Sequence, residues 1–328
     1  MKLLLAFAGI VLVTALLVWV KARTHEAQAE SSFPPEGQFV DVDGTRVHAV
    51  VRGAPEAPPL VLIHGASGNT RDWTLDIVPR LATSYRVIVF DRPGLGYTDS
   101  SRGSGAGGAQ TISEQATLLQ AAAATLGADK PVVLGHSYGG AVALAWAVHH
   151  PEHLAALVTV AAASHRWETG LSTYYKILSH PILGPLVIPF LTAFVPDARV
   201  EREIAAVFEP DAVPKGYLDH FGAGLTLRRT SMRANALQRA NLLDEITVMT
   251  KQYPDIKVPV EVLHGTADML VWSSIHSEPL ARAIPDATLT LLPGTGHMPH
   301  HAVPDEITDA IHRAFARAGI VEPFNAKP

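Results

Sequence analysis

Six short runs rich in branched apolar residues, most of them followed by a helical stretch, restrict this chain to few folds. They are Leu60–Ile63, Arg86–Phe90, Val132–Leu134, Leu157–Ala161, Val258–Leu263 and Thr288–Leu292. Continuous short runs of Val, Ile and Leu among them suit strands buried on both faces. Helical stretches such as Ile112–Leu126, Ala141–His149 and Ile307–Ala318 punctuate them. Strand–helix alternation of this kind predicts an α/β fold with a mostly parallel central sheet flanked by helices. Upstream, Gln38–Val42 and Thr45–Arg52 alternate around Asp43-Gly44. That pattern predicts a hairpin feeding the sheet, which makes the sheet mixed.

The rhythm breaks between His165 and Asn241. Prolines at 181, 185, 189, 196, 210 and 214 separate several helical stretches, and Tyr174–Val195 is notably apolar. We read a helical insertion resting on the sheet edge as a lid; ordinary extra core helices are the alternative. Ser101–Ala109 is Gly/Ser-rich and reads as a loop.

Leu3–Val20 contains no charged side chain, and at ~1.5 Å per residue its eighteen helical residues span ~27 Å, enough for a bilayer core. An uncleaved single-pass transmembrane helix is expected, with membrane localisation. The rival is a secretory signal, since Ala27-Gln28-Ala29 has the small-x-small form of a cleavage site. Against the rival, the run is longer than a usual signal core, and Lys21 and Arg23 follow it directly. The amino group and Lys2 balance these two cations, so orientation stays open, with the exported side favoured. His25–Gly37 reads as a polar, proline-containing tether.

Composition removes several function classes. The net charge is −5, so no basic footprint for nucleic acid is present. There is no cysteine, which excludes disulfides, thiolate catalysis and cysteine-ligated metal centres.

Val132-Val133-Leu134 leads into Gly135-His136-Ser137-Tyr138-Gly139 and then into a helix. This is G-x-S-x-G in strand–turn–helix context, the setting of a nucleophilic serine. The turn must be tight, and a side chain at 135 or 139 is expected to collide with neighbouring backbone. A free serine is a poor nucleophile and needs a base oriented by a carboxylate. Asp268 lies just past the Val258–Leu263 strand, and His297 just past the strand after it. Both therefore fall at strand C-termini, where α/β sheets place their sites. Sixteen histidines compete for the role of base. Gly296 and the post-strand position favour His297, with His300 and His301 as decoys. His64 and His264 open turns and are expected to bond backbone. Neither His149, His150 and His153 nor His297, His300 and His301 shows a metal-ligand spacing with a convergent carboxylate, so no metal is expected.

At these residues the chain resembles the α/β-hydrolase superfamily, in its serine-nucleophile branch with a helical lid. The resemblance runs from Gln38 to Ala318. His64-Gly65-Ala66-Ser67-Gly68 is similar to the family's oxyanion loop, and Asp91-Arg92-Pro93-Gly94-Leu95-Gly96 to its D-x-P-G-x-G turn. The resemblance implies Ser137, Asp268 and His297 as catalytic triad. The backbone N–H of Tyr138 follows from acyl-transfer chemistry as one oxyanion donor; the resemblance implies Ala66 as the other. Asp91 reads as structural, pinning its turn. The chain is expected to divide into a membrane anchor or signal sequence (1–24), a linker (25–37), a hydrolase core in two parts (38–164 and 242–328) and a helical lid (165–241). Ser137 excludes the members with an aspartate nucleophile, and Tyr174 and Tyr175 are expected to line the pocket. The expected activity is hydrolysis of carboxylic esters of small hydrophobic molecules, with no cofactor. Carbon–carbon bond hydrolysis of a dienoic keto acid, or a binding role without turnover, are the alternatives; the intact triad counts against the latter.

Overall fold

Among the described residues, eight strands form where the apolar runs and the hairpin predict them: β1 (Gln38–Val42), β2 (Thr45–Arg52), β3 (Pro59–Ile63), β4 (Arg86–Phe90), β5 (Val132–His136), β6 (Ala156–Val160), β7 (Val260–Gly265) and β8 (Ala287–Leu292). The structure is a computed structural model and describes residues 1–320. The strands make one sheet in the order β1-β2-β4-β3-β5-β6-β7-β8. β1 pairs antiparallel with β2, and β2 with β4; the remaining pairs are parallel. Asp43 and Gly44 both take positive φ, as a two-residue hairpin turn with right-handed twist requires.

Side chains alternate between two cores. Val61, Ile63, Ile88 and Val133 face the Ile112–Thr125 and Tyr138–His149 helices. Leu60, Leu62, Val87 and Leu134 face the Ile77–Leu81 and Pro304–Arg317 helices. The Ile112–Thr125 helix starts on a reciprocal cap between Thr111 and Glu114, and the Pro304–Arg317 helix has proline in its first turn. From β3 the chain runs to β4 on one side and later to β5 on the other. The loops after β3 and β5 therefore part at the C-terminal edge of the sheet, the position where open α/β sheets form a crevice.

Two boundaries differ from the sequence reading. The N-terminal helix runs unbroken from Lys2 to Ser32, so the expected tether at 25–37 shrinks to Phe33–Gly37. No proline occurs before Pro34, and the polar half of this helix has partners. His25 reaches Asp197 at 2.9 Å and the Thr192 carbonyl at 2.7 Å, and Glu26 takes two hydrogen bonds from the Arg229 guanidinium at 2.8 Å. Ala22 and Ala29 are buried. The apolar half is exposed, with mean hydropathy 2.8 over its most apolar window.

The helical insertion comprises Thr173–Ser179, Leu183–Phe194, Asp197–Val207, Tyr217–Phe221, Ala223–Thr226 and Arg229–Met249. Its last helix passes the expected boundary at Asn241 and continues to Met249. Leu242, Ile246 and Met249 extend its buried stripe into the sheet-side core.

Candidate active site

Backbone strain and two glycines build the turn after β5. Ser137 has φ 53° and ψ −117°, a conformation a non-glycine residue adopts only when its surroundings enforce it. A Cβ on Gly135 would lie 2.2 Å from the Gly139 carbonyl oxygen, and one on Gly139 would lie 2.3 Å from that of Ile63. Both positions must be glycine, as the sequence predicts. Ser137 thus stands at the N-terminus of the Tyr138–His149 helix, above the edge of the sheet.

The structure brings Ser137, His297 and Asp268 together. Ser137 Oγ lies 3.0 Å from His297 Nε2, and His297 Nδ1 lies 2.7 Å from Asp268 Oδ2. All three residues are buried. Asp268 Oδ1 accepts the Leu270 and Val271 N–H groups at 2.8 and 2.9 Å. Oδ2 also accepts from His264 Nε2 at 3.1 Å. Burial works against the charge, but the hydrogen bonds from His264, His297 and Val271 outweigh it and hold the carboxyl well below the usual range. A permanent anion at this point orients the imidazole. His264 therefore does more than the backbone bonding expected of it: besides the Val271 carbonyl it supports the acid itself, while its Nδ1 meets Ser277 Oγ.

The loop after β3 lies against the serine. A Cβ on Gly65 would come within 3.2 Å of Ser137 Cβ. Among the described residues, the Ala66 and Tyr138 N–H groups have no hydrogen-bond partner. Ser67, at φ 56°, gives its N–H to Asn235 Oδ1 at 3.0 Å, and its Oγ accepts from Asn235 Nδ2 at 2.8 Å. One residue of the insertion thus clamps this loop. Asp91 pins its turn as expected: it accepts from Thr70 N, Tyr97 N and His48 Nδ1 at 2.7, 2.8 and 2.6 Å.

The decoy histidines serve another carboxylate. His301 Nε2 is 3.2 Å from Asp72 Oδ1, which also accepts from the Tyr217 hydroxyl at 2.7 Å. His300 packs tilted against both Trp73 and His136, with ring centroids 4.4 and 4.5 Å away. His136 in turn donates from Nε2 to the His297 carbonyl at 2.8 Å. Asp72, His136 and His300 bring three donor atoms within 4.8 Å, a grouping the sequence does not announce because Asp72 comes from a distant helix. His150 bonds Thr117 instead of converging with His149 and His153.

A cavity of about 370 Å³ lies between the Leu183–Phe194 and Arg229–Met249 helices and the loop 93–110. Pro93, Gln110, Ile188, Leu237 and Gln238 contribute to its wall, which includes none of Ser137, Asp268 and His297. Tyr174 and Tyr175 are not part of this wall. They pack edge-on to each other in the insertion, and Arg239 covers Tyr175.

Burial also sets the acid stability of the fold. It pushes His64, His276 and His300 down to about 4; for His300 it outweighs Asp72, 3.4 Å from Nε2. In the unfolded chain these rings protonate near ~6.5. The unfolded state therefore binds more protons in this window, and their stability contribution, full above ~6.5, falls as pH drops towards 4. Burial raises Glu245 to about 7, which works the other way between pH 7 and its unfolded ~4.3 and offsets one proton. Burial holds His136 well down too, so the buried rings outnumber Glu245 and urea midpoints are expected to fall between pH 6.5 and 4.5. A midpoint independent of pH across this window contradicts neutral buried rings.

The sequence profile of the Alpha/beta hydrolase family matches residues 60–310, which include all of these loops. The chain belongs to the α/β hydrolase family. An uncharacterized protein of Mycobacterium tuberculosis is 26% identical over 85% of this α/β hydrolase and 81% of its own length. The pimeloyl-[acyl-carrier protein] methyl ester esterase of Vibrio atlanticus is 28% identical over 74% of the chain and 89% of its own. Among solved structures, a thermophilic esterase from Thermogutta terrifontis superposes with TM-score 0.66 at 22% identity, covering 86% of this chain and 99% of its own. The dienoate hydrolase BphD of Rhodococcus sp. strain RHA1 gives 0.68 at 19%, covering 85% and 99%. A bacterial membrane phospholipase A gives 0.64 at 20%, covering 98% and 100%. The last likeness takes in the N-terminal helix as well as the hydrolase core.

Proposed function

We propose that this α/β hydrolase is a membrane-anchored serine hydrolase that cleaves carboxylic esters of hydrophobic substrates. The relay of Ser137, His297 and Asp268, with spacings of 3.0 and 2.7 Å, carries the reading. His297 takes the Ser137 proton as Oγ attacks the ester carbonyl. Asp268 stabilises the imidazolium so formed. The Ala66 and Tyr138 N–H groups receive the developing oxyanion. His297 then protonates the leaving alcohol, and water, activated by the same base, releases the acid. Each step uses groups of this chain, so the reading calls for no cofactor and no metal.

The ester chemistry draws support from the relatives named as esterases at 28 and 22% identity. The likeness to a dienoate hydrolase favours carbon–carbon bond hydrolysis as the second reading. Turnover of a chromogenic short-chain ester against that of a dienoic keto acid separates the two. The ester reading expects the first to be faster by kcat/KM; preferential cleavage of the keto acid overturns it.

The helical insertion serves as the lid. Its Leu183–Phe194 helix and the preceding residue turn Ile182, Leu186, Phe190 and Phe194 outward at every fourth position, and the N-terminal helix packs alongside. An apolar lid face beside a membrane helix suits esters that partition into lipid.

The anchor gives its own test. Full-length protein is expected in the membrane pellet, resistant to carbonate extraction. Removal of residues 1–20 is expected to release an active soluble enzyme, because His25, Glu26 and Glu30 still dock on the lid. Removal of 1–32 strips these contacts and is expected to lower Tm by several degrees. N-terminal sequencing that finds a mature start at Glu30 contradicts the anchor and means an exported hydrolase.

A further inference from the structure

Arg92 is a fully buried guanidinium with no carboxylate in contact among the described residues. Its neighbour Asp91 is engaged by His48, Thr70 and Tyr97. Arg92 instead donates to neutral acceptors: the His64 and Gly65 carbonyls at 3.0 Å each, Gln115 Oε1 at 3.0 Å and Gln238 Oε1 at 2.8 Å. Its Cζ lies 4.1 Å over the Tyr138 ring. Burial lowers its pKa to about 10, which still leaves it charged at neutral pH. A buried charge without a counter-charge is costly, and proteins keep few of them.

The position of this charge accounts for it. The Gly65 carbonyl belongs to the same planar peptide as the Ala66 N–H, and in a trans peptide the two point in opposite directions. Arg92 holds one end of that peptide; the other end is free. His64 reinforces the hold. Its Nε2 accepts from Arg92 N at 3.0 Å, so its Nδ1 carries the proton and donates to the same Gly65 carbonyl at 2.9 Å. With the Gly68 N–H at 3.4 Å as a third donor, these bonds to one carbonyl polarise the N–H of that peptide and strengthen whatever bond it makes. The other free N–H belongs to Tyr138, whose ring the guanidinium covers.

We propose that Arg92 is a positioning residue for the oxyanion hole, fixing and polarising the Gly65–Ala66 peptide with a charge whose partner is the transient oxyanion. The proposal rests on the serine-hydrolase reading of Ser137. It assigns a chemical role to the arginine of the Asp91–Gly96 turn, which otherwise reads only as a loop constraint. The charge is paired best when the tetrahedral intermediate forms, so its effect falls on kcat rather than on ground-state binding.

The test compares Arg92→Met, Arg92→Lys and Gln115→Glu with wild type and Ser137→Ala in one ester assay. Each is also titrated with a trifluoromethyl ketone, whose adduct with the serine imitates the tetrahedral intermediate, and each is melted to check folding. Arg92→Met is expected to lower kcat about 10²-fold, the scale of losing one oxyanion donor, with KM within about twofold. Ketone affinity is expected to fall by the same factor, and Arg92→Lys to recover part of both. Gln115→Glu keeps the arginine but gives it a permanent counter-charge, and Tyr138 Oη, 3.4 Å from Gln115 Nε2, can donate to the new carboxylate. It is expected to lower kcat and ketone affinity about tenfold; it also gives up the Gln115 Nε2 bond to the Gln110 carbonyl at 3.1 Å, so its melt is read beside the kinetics. It decides the matter if Arg92→Met does not fold. A folded Arg92→Met with wild-type kcat and ketone affinity overturns the proposal, as does a folded Gln115→Glu with both unchanged. A loss of kcat without the parallel loss of ketone affinity also overturns it. Ester turnover that survives Ser137→Ala overturns the serine-hydrolase reading and this proposal with it. Turnover that needs Ser137 but ignores Arg92 overturns this proposal alone.

Discussion

Ser137→Ala is expected to remove ester turnover, with kcat down on the order of 10⁶-fold, the scale seen when a serine hydrolase loses its nucleophile. The substitution deletes one buried oxygen and its contact at 3.0 Å with His297, and little volume. Alanine inherits the same strained φ of 53°, so the turn is no worse off. Tm is therefore expected to stay within a few degrees, and circular dichroism to be unchanged. Purified protein and a chromogenic ester suffice for the measurement. Retention of more than a few per cent of kcat by a folded variant contradicts the assignment.

His297→Ala is expected to cost a similar factor, and the double variant with Ser137→Ala little more, because members of one relay fail together. The contrast with its neighbours matters more than the size. His300 and His301 lie at Asp72, behind His136, and neither meets Ser137. Their alanine variants are expected to lower stability by opening space among packed rings while folded enzyme keeps turning over. Comparison of kcat per active site, from a titrated burst, with Tm separates these effects. Loss of turnover in folded His300→Ala, with activity kept in His297→Ala, reverses the choice of base.

The core strands were legible because burial on both faces leaves a continuous apolar run, which no solvent-facing strand needs. The placement of Ser137, Asp268 and His297 followed from it, since each sits on a loop leaving the same sheet edge. The remainder depended on pairs distant in sequence. His25–Ser32 reads as a polar linker until Asp197, Arg228 and Arg229 are seen to dock on it. The last helix of the insertion reads as ending near Asn241 because the stripe that continues it is buried in the core beneath the sheet-covering helices, on residues distant in sequence. Asn235 and His264 have no local signature: one clamps Ser67 from the helical insertion, and the other supports Asp268 from the preceding strand. Arg92 sits in a recognisable turn, but neither its burial nor its lack of a counter-ion is written in that motif.

The central claim is that Ser137 is an activated nucleophile, and covalent labelling tests it most directly. Full-length protein is treated with a fluorophosphonate, digested, and analysed by mass spectrometry. One adduct is predicted, on the peptide carrying Ser137, absent in Ser137→Ala and much slowed in His297→Ala. Labelling of equal strength in Ser137→Ala, or an adduct on another serine such as Ser67 or Ser164, would contradict the claim.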